Sequence, residues 1–121
     1  MKDIEKIITK ELLRRVLPKE TENLSEDFSF YIDEDYIVFR DEGETLFDYN
    51  IYKFTFKCKE WAFKNKYKIQ SQINESNKGH SHITKKNDDC WAKGFFENTE
   101  IEAIIKACEF ILTKRNQNEN K

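Results

Sequence analysis

A chain of 121 residues, 38% hydrophobic and 36% charged, is sized for one domain and carries more charge than most. Ten Phe, five Tyr and two Trp concentrate the apolar surface in a few large side chains, and three Gly with one Pro argue against a loop-dominated fold. No apolar run approaches the roughly 20 residues that cross a bilayer, which excludes a spanning helix.

Charges threaded through the first apolar positions are unlike a signal peptide. Cys58, Cys90 and Cys108 are odd in number and far apart, as reduced thiols are; the expected location is cytoplasmic.

In chain order, Ile4, Ile8, Leu12 and Val16 recur every four residues with Ile7 alongside, which predicts a helix over 3–17 stopped by Pro18. An acidic connector follows at 21–27. The β-branched and aromatic runs 28–32 and 36–40 read as a hairpin turning at Asp33-Glu34-Asp35, with a loop at 41–44.

Residues 48–66 then predict a helix with two apolar stripes. Ile51, Phe54, Cys58, Trp61 and Ala62 make the first; Tyr52, Phe56 and Phe63 make a second, roughly opposite, with lysines between. A helix covered on one side needs only one such stripe. The second is either core beneath another helix, a self-association surface, or a groove for a partner.

Tyr67, Ile69 and Ile73 alternate with Lys68, Gln70 and Gln72, so 67–73 reads as a half-buried strand. The polar stretch 74–89 holds a loop with one weak strand near 80–84, and 90–97 is another strand. Thr99 and Glu102 fit a capping box. The helix it opens runs to about 115, burying Ile101, Ile104, Ile105, Cys108, Ile111 and Leu112, and 116–121 is a frayed tail. The expected fold is a single α+β domain over 1–115: a small antiparallel sheet with helices packed on it, in the order α-β-β-α-β-β-α. KCKEWAFKN (57–65) and KACEFILTK (106–114) echo each other at an offset of 49, each closing a β-β-α unit.

Chemistry is sparse. His80 and His82 stand two apart with Cys90 eight residues on, three candidate ligands without the tight pairs of a structural zinc site, so no metal is expected. Cys58 and Cys108 fall on apolar stripes, as small core residues do. Glycine-rich phosphate loops, nucleophile elbows and metalloprotease motifs are all missing. Neither an enzyme nor a cofactor is expected.

The charges are unevenly spread. From 19 to 48 there are eleven acidic residues against Lys19 and Arg40; from 51 to 93 there are ten lysines against four acids. Such asymmetry bears on association rather than on fold. Asp33, Glu34 and Asp35 can present negative charge to a basic protein surface. Lys53, Lys57, Lys64, Lys85 and Lys86, beside exposed aromatics, suit nucleic acid instead, since lysines neutralise phosphates and rings stack on bases.

NIYKFTFKCKEWA (50–62) and FFENTEIEAIIKACEFIL (95–112), with ITKELLRRVLP (8–18), resemble small uncharacterised bacteriophage and prophage proteins of alpha-beta-alpha sandwich type. Phe110 stands where that pattern has Trp, and 75–89 has no counterpart in it. The family has no established activity, so the resemblance implies genomic context and fold, and favours a non-catalytic binder of a host or phage protein, including a defence system or a nucleic-acid enzyme. The expected binding residues are Asp33, Glu34, Asp35, Tyr52, Phe56 and Phe63, with a homodimer among the arrangements they permit; the alternative is a nucleic-acid-binding accessory protein using the lysines.

Overall fold

Hydrophobic spacing at the start of the chain yields three short helices, not one: α1 (Ile4–Ile7), α2 (Lys10–Val16) and α3 (Pro18–Thr21). The computed structural model describes residues 4–73, 78–85 and 91–119, and at 85, 91–92 and 117–119 the backbone alone. The first break falls at Thr9, whose N–H and Oγ1 both donate to Glu109 Oε1, at 3.0 and 2.9 Å. Thr9 is thereby drawn out of helical register, and its Oγ1 caps α2 by accepting from Leu12 N–H. Pro18 opens the third helix from its first turn, where a missing N–H costs nothing.

Two antiparallel three-stranded meanders follow, each ending in a helix: β1 (Ser29–Asp33), β2 (Tyr36–Asp41), β3 (Glu44–Asn50) and α4 (Ile51–Lys64), then β4 (Tyr67–Ile73), β5 (Gly79–Lys85), β6 (Trp91–Glu97) and α5 (Glu100–Glu119). The α+β class holds, with two sheets instead of one; the weak strand expected near 80–84 is β5, the middle strand of the second sheet, and the first unit gains a strand. The added strand in the first unit is β3. Glu42 (φ +53°) and Gly43 (φ +80°) turn the chain back through a two-residue connection, and 44–50 pairs with β2. Helix α4 consequently starts at Ile51, not at Asp48. The helix at the chain's end extends past the expected 115: residues 116–119 are helical, and Asn116 Nδ2 donates to Glu11 Oε1 at 3.2 Å.

The first sheet turns Ile32, Ile37 and Phe39 inward, and Phe39 stacks on Phe47 with centroids 4.6 Å apart. Lys10 and Arg14 lie over the ring of buried Phe28. Glu5 accepts the N–H of Ile32 on the outer strand β1. The second sheet buries Ile69 and Ile83 beneath α5, where Ser81 Oγ donates to Ala103 O at 2.8 Å and Ser71 Oγ to Glu100 Oε1 at 2.7 Å. Thr99 Oγ1 caps α5 by accepting from Glu102 N–H at 3.1 Å, as the capping box predicts. The six apolar residues expected on that helix are all buried.

Gly79 sets how closely α5 approaches β5. A Cβ there would stand 2.0 Å from the carbonyl carbon of Thr99 and 2.2 Å from the nitrogen of Glu100, both backbone atoms. Gly79→Ala is therefore expected to destabilise the fold by about 3 kcal/mol, as severe overpacking does, read as a lowered urea midpoint. Burial raises the Glu109 carboxyl above its ordinary value against the opposing Thr9 hydrogen bonds. The folded state then holds this proton more tightly than the unfolded chain, so this group's contribution falls as pH rises from the unfolded pKa through the folded one. Glu109→Gln should gain stability relative to the parent as pH rises through and above the ordinary carboxylate range; a difference in urea midpoints that does not change with pH would contradict this.

Candidate functional site

Helix α4 is pinned at both ends. Asn50 Oδ1 accepts from Tyr52 N–H at 2.9 Å and Lys53 N–H at 3.2 Å, and Ile51 N–H donates to Asp35 O at 2.7 Å. At the other end, Asn65 Nδ2 donates to Trp61 O at 2.8 Å, and Lys66, at φ +71°, swings the chain directly into β4. Ile51, Phe54, Cys58 and Ala62 are fully buried along the flank that meets α5, and Trp61 packs half-buried beside them. The first apolar stripe is core, as its spacing predicts.

The second stripe is not core. Tyr52, Phe56 and Phe63 are 54%, 65% and 50% exposed. Helices α2 and α5 both pack against α4, but neither covers these rings. At 100° per residue Tyr52, Phe56, Lys59 and Phe63 share a strip about 60° wide, to one side of the buried face rather than opposite it. That side borders β4, which runs antiparallel to the helix.

Three shallow depressions follow this seam. One of about 300 Å³ lies at its start, where Tyr52, Thr55 and Ile73 meet Thr99, Glu100, Ile101 and Ile104 at the beginning of α5. Another of about 390 Å³ joins Lys59 to residues 69–72 and reaches His82 on β5. A third of about 360 Å³ lies between Phe63, Lys64 and Lys68 at its end. Consecutive side chains of a strand point to opposite faces, so residues 69–72 line one hollow together only around the strand's edge. Strand β4 is an edge strand, paired to β5 alone among the described residues. Ile73, expected on the buried face of β4, is 61% exposed and lines the first hollow.

The acidic turn comes to the same end of α4. Asp33 and Glu34 are exposed, Glu34 at φ +51°, while the Asp35 carbonyl receives the first N–H of the helix. Acidic groups near a helix N-terminus are also favoured by its dipole. Of the lysines expected to meet nucleic acid, Lys53, Lys57 and Lys64 are exposed on α4. Lys57 and Lys64 join Arg15, Lys19, Glu20 and Glu60 around a more polar cleft of about 420 Å³ between α4 and the first helices. The Lys85 side chain and all of Lys86 lie outside the described residues.

His80 and His82 lie on the outer face of the second sheet. His80 stacks on Phe96 at 4.2 Å and 4° between planes, and His82 pairs with Gln70. Among the described residues no three His, Cys, Asp or Glu side chains gather as a metal site; Cys90, the third sequence candidate, lies outside them. Cys58 and Cys108 meet where α4 and α5 cross, the Cys108 thiol donating to Cys58 O at 3.6 Å. Burial, and then the Cys108 thiol beside it, push the Cys58 thiol well above its ordinary range, which leaves it protonated and a poor nucleophile.

No family model, curated protein or solved structure matches the chain. Among the described residues no helix is long and apolar enough to cross a membrane.

Truncating an exposed ring should leave the fold intact. Phe56→Ser is expected to change stability by no more than about 0.5 kcal/mol, whereas Phe54→Ala, on the buried face, should cost about 3–5 kcal/mol in urea unfolding. Cys58 and Cys108 should resist iodoacetamide in the native protein and label only in denaturant, checked by peptide mass mapping.

Proposed function

We propose that the protein acts without catalysis, by binding another protein along the exposed flank of α4. The observation that carries this is the solvent exposure of Tyr52, Phe56 and Phe63 on a helix whose other flank is fully packed. Three large rings on one strip of a rigidly capped helix provide the aromatic anchors that protein interfaces concentrate. The neighbouring Asp33-Glu34-Asp35 turn supplies charge at one end. The likeness of 50–62 and 95–112 to phage proteins supports a phage or mobile-element origin and a host or phage protein as partner, an enzyme of defence or of nucleic acids included.

A second reading draws on the cleft around Arg15, Lys19, Lys57 and Lys64, where four cations face Glu20 and Glu60. That excess suits phosphates and would make the protein a nucleic-acid-binding accessory.

Tagged protein passed through nuclease-treated bacterial lysate should retain a defined polypeptide, and Phe56→Ser with Phe63→Ser should lose it. Retention of nucleic acid alone, abolished by moderate salt and by Lys57→Glu with Lys64→Glu, would replace the first reading with the second. Solution mass separates self-pairing, since a concentration-dependent dimer lost on Phe56→Ser places a second copy on the same stripe.

A further inference from the structure

We propose that the seam between α4 and β4 takes an extended acidic segment of a partner protein, which pairs as a fourth strand on the open edge of β4. This rests on the protein-binding reading above and names the shape and charge of the segment bound.

The shape follows from the strand edge. In an antiparallel sheet every second residue of an edge strand turns its N–H and C=O away from its one partner. Over the seven residues of β4 that leaves a row of alternating donors and acceptors about 23 Å long. Alternating polarity matches another polypeptide backbone. It does not match a phosphate chain, which the carbonyls repel. Helix α4 has 14 residues, and its aromatic strip from Tyr52 to Phe63 is about 17 Å long, so it runs beside most of that edge. A strand laid on β4 would point alternate side chains toward Tyr52, Phe56 and Phe63 and the others toward the outer sheet face, where Lys68, Gln70 and Gln72 are exposed.

The charge follows from the rim. Lys59, Lys64 and Lys68 line the seam, and Glu60 is the one acid beside them in its basic half. At the other end Glu100 is already held by Ser71. Acidic side chains alternating with apolar ones therefore complement both walls. The other outer strands of the two sheets are less suited. On β1, the Glu5 carboxylate already takes the Ile32 N–H. Glu44 and Asp48 make β3 repel an acidic segment, and beside β6 the rings of Phe95 and Phe110 are half-buried against each other while Lys106 is already paired with Glu97. Strand addition of this kind draws affinity from the backbone ladder and selectivity from pockets for alternate side chains.

The test is selection of random dodecapeptides displayed against the intact protein, followed by synthesis of the enriched sequences. Acidic and apolar residues should alternate in them. Binding should fall by about tenfold or more with Lys59→Glu plus Lys68→Glu. It should also fall when alternate peptide amides are N-methylated in one register but not in the other, because only one register donates to β4. Failure to enrich any sequence, enrichment without acidic alternation, or indifference to methylation in both registers would each overturn strand addition. So would saturation of the seam by single-stranded oligothymidylate, or by a second copy of this chain. If the lysate polypeptide is still lost on Phe56→Ser while the selection fails, strand addition falls and the broader reading stands; if retention ignores Phe56, the broader reading falls as well.

Discussion

Helix α5 sets the position of everything else, and it does so through a contact too close for any side chain. At Gly79 the backbone of β5 meets the backbone of Thr99 and Glu100 with no space for a Cβ. From that point the helix runs over the second sheet, crosses α4 at the two cysteines, holds Thr9 through Glu109 and reaches Glu11 through Asn116. One rod thus touches the sheet, the other long helix and the N-terminal turns. From Ile101 to Leu112 most of its side chains are buried by these contacts. Helix α4, held by α5 on one flank and capped at both ends, is the long helix with a flank to spare.

The two meander-helix units make this contrast plain. The helices begin 49 residues apart, at Ile51 and Glu100, which is the offset of the echoed segments. Glu60 and Glu109 occupy matching places in the echo. Glu60 is exposed beside the seam, while Glu109 is half-buried and binds Thr9. Trp61 and Phe110 match as well and both pack against the core. Equal patterns give unequal roles because the N-terminal turn at Thr9 meets α5 at Glu109, while Glu60 lies on the exposed side of α4.

Periodicity made the helices and most strands legible. The spacing of 101–112 and the alternation of 67–73 each report a single packed face; the first is realised throughout and the second up to Ile73. What escaped was set by distant contacts. Nothing local in 3–17 announces that Glu109 will break the helix at Thr9. The strand at 44–50 was hidden because its last residues, Asp48 to Asn50, also resemble the entry to a helix, and because a register shift between Phe39 and Arg40 disturbs its alternation. Tyr52, Phe56 and Phe63 were visible as a stripe, but whether a neighbour covers them depends on where α2 and α5 lie, which no window of sequence contains. Alternation placed Ile73 inward, yet the strand's last residue stays largely open to solvent beside Tyr52.

An open strand edge beside exposed aromatic rings is a hazard as well as an opportunity, since any neutral extended chain can add to it and seed aggregation. The residues around this seam answer the hazard in a selective way. Lys68 on the strand and Lys59 and Lys64 on the helix place positive charge where an incoming strand would lie, and lysines on an edge discourage pairing with another copy of the same edge. Two copies joined edge to edge along β4 would crowd the lysines of both seams together. The same charges attract a segment of opposite sign. On the strand-addition proposal, lysines that keep the edge from its own copies would also select what it accepts, so one set of side chains would serve both ends.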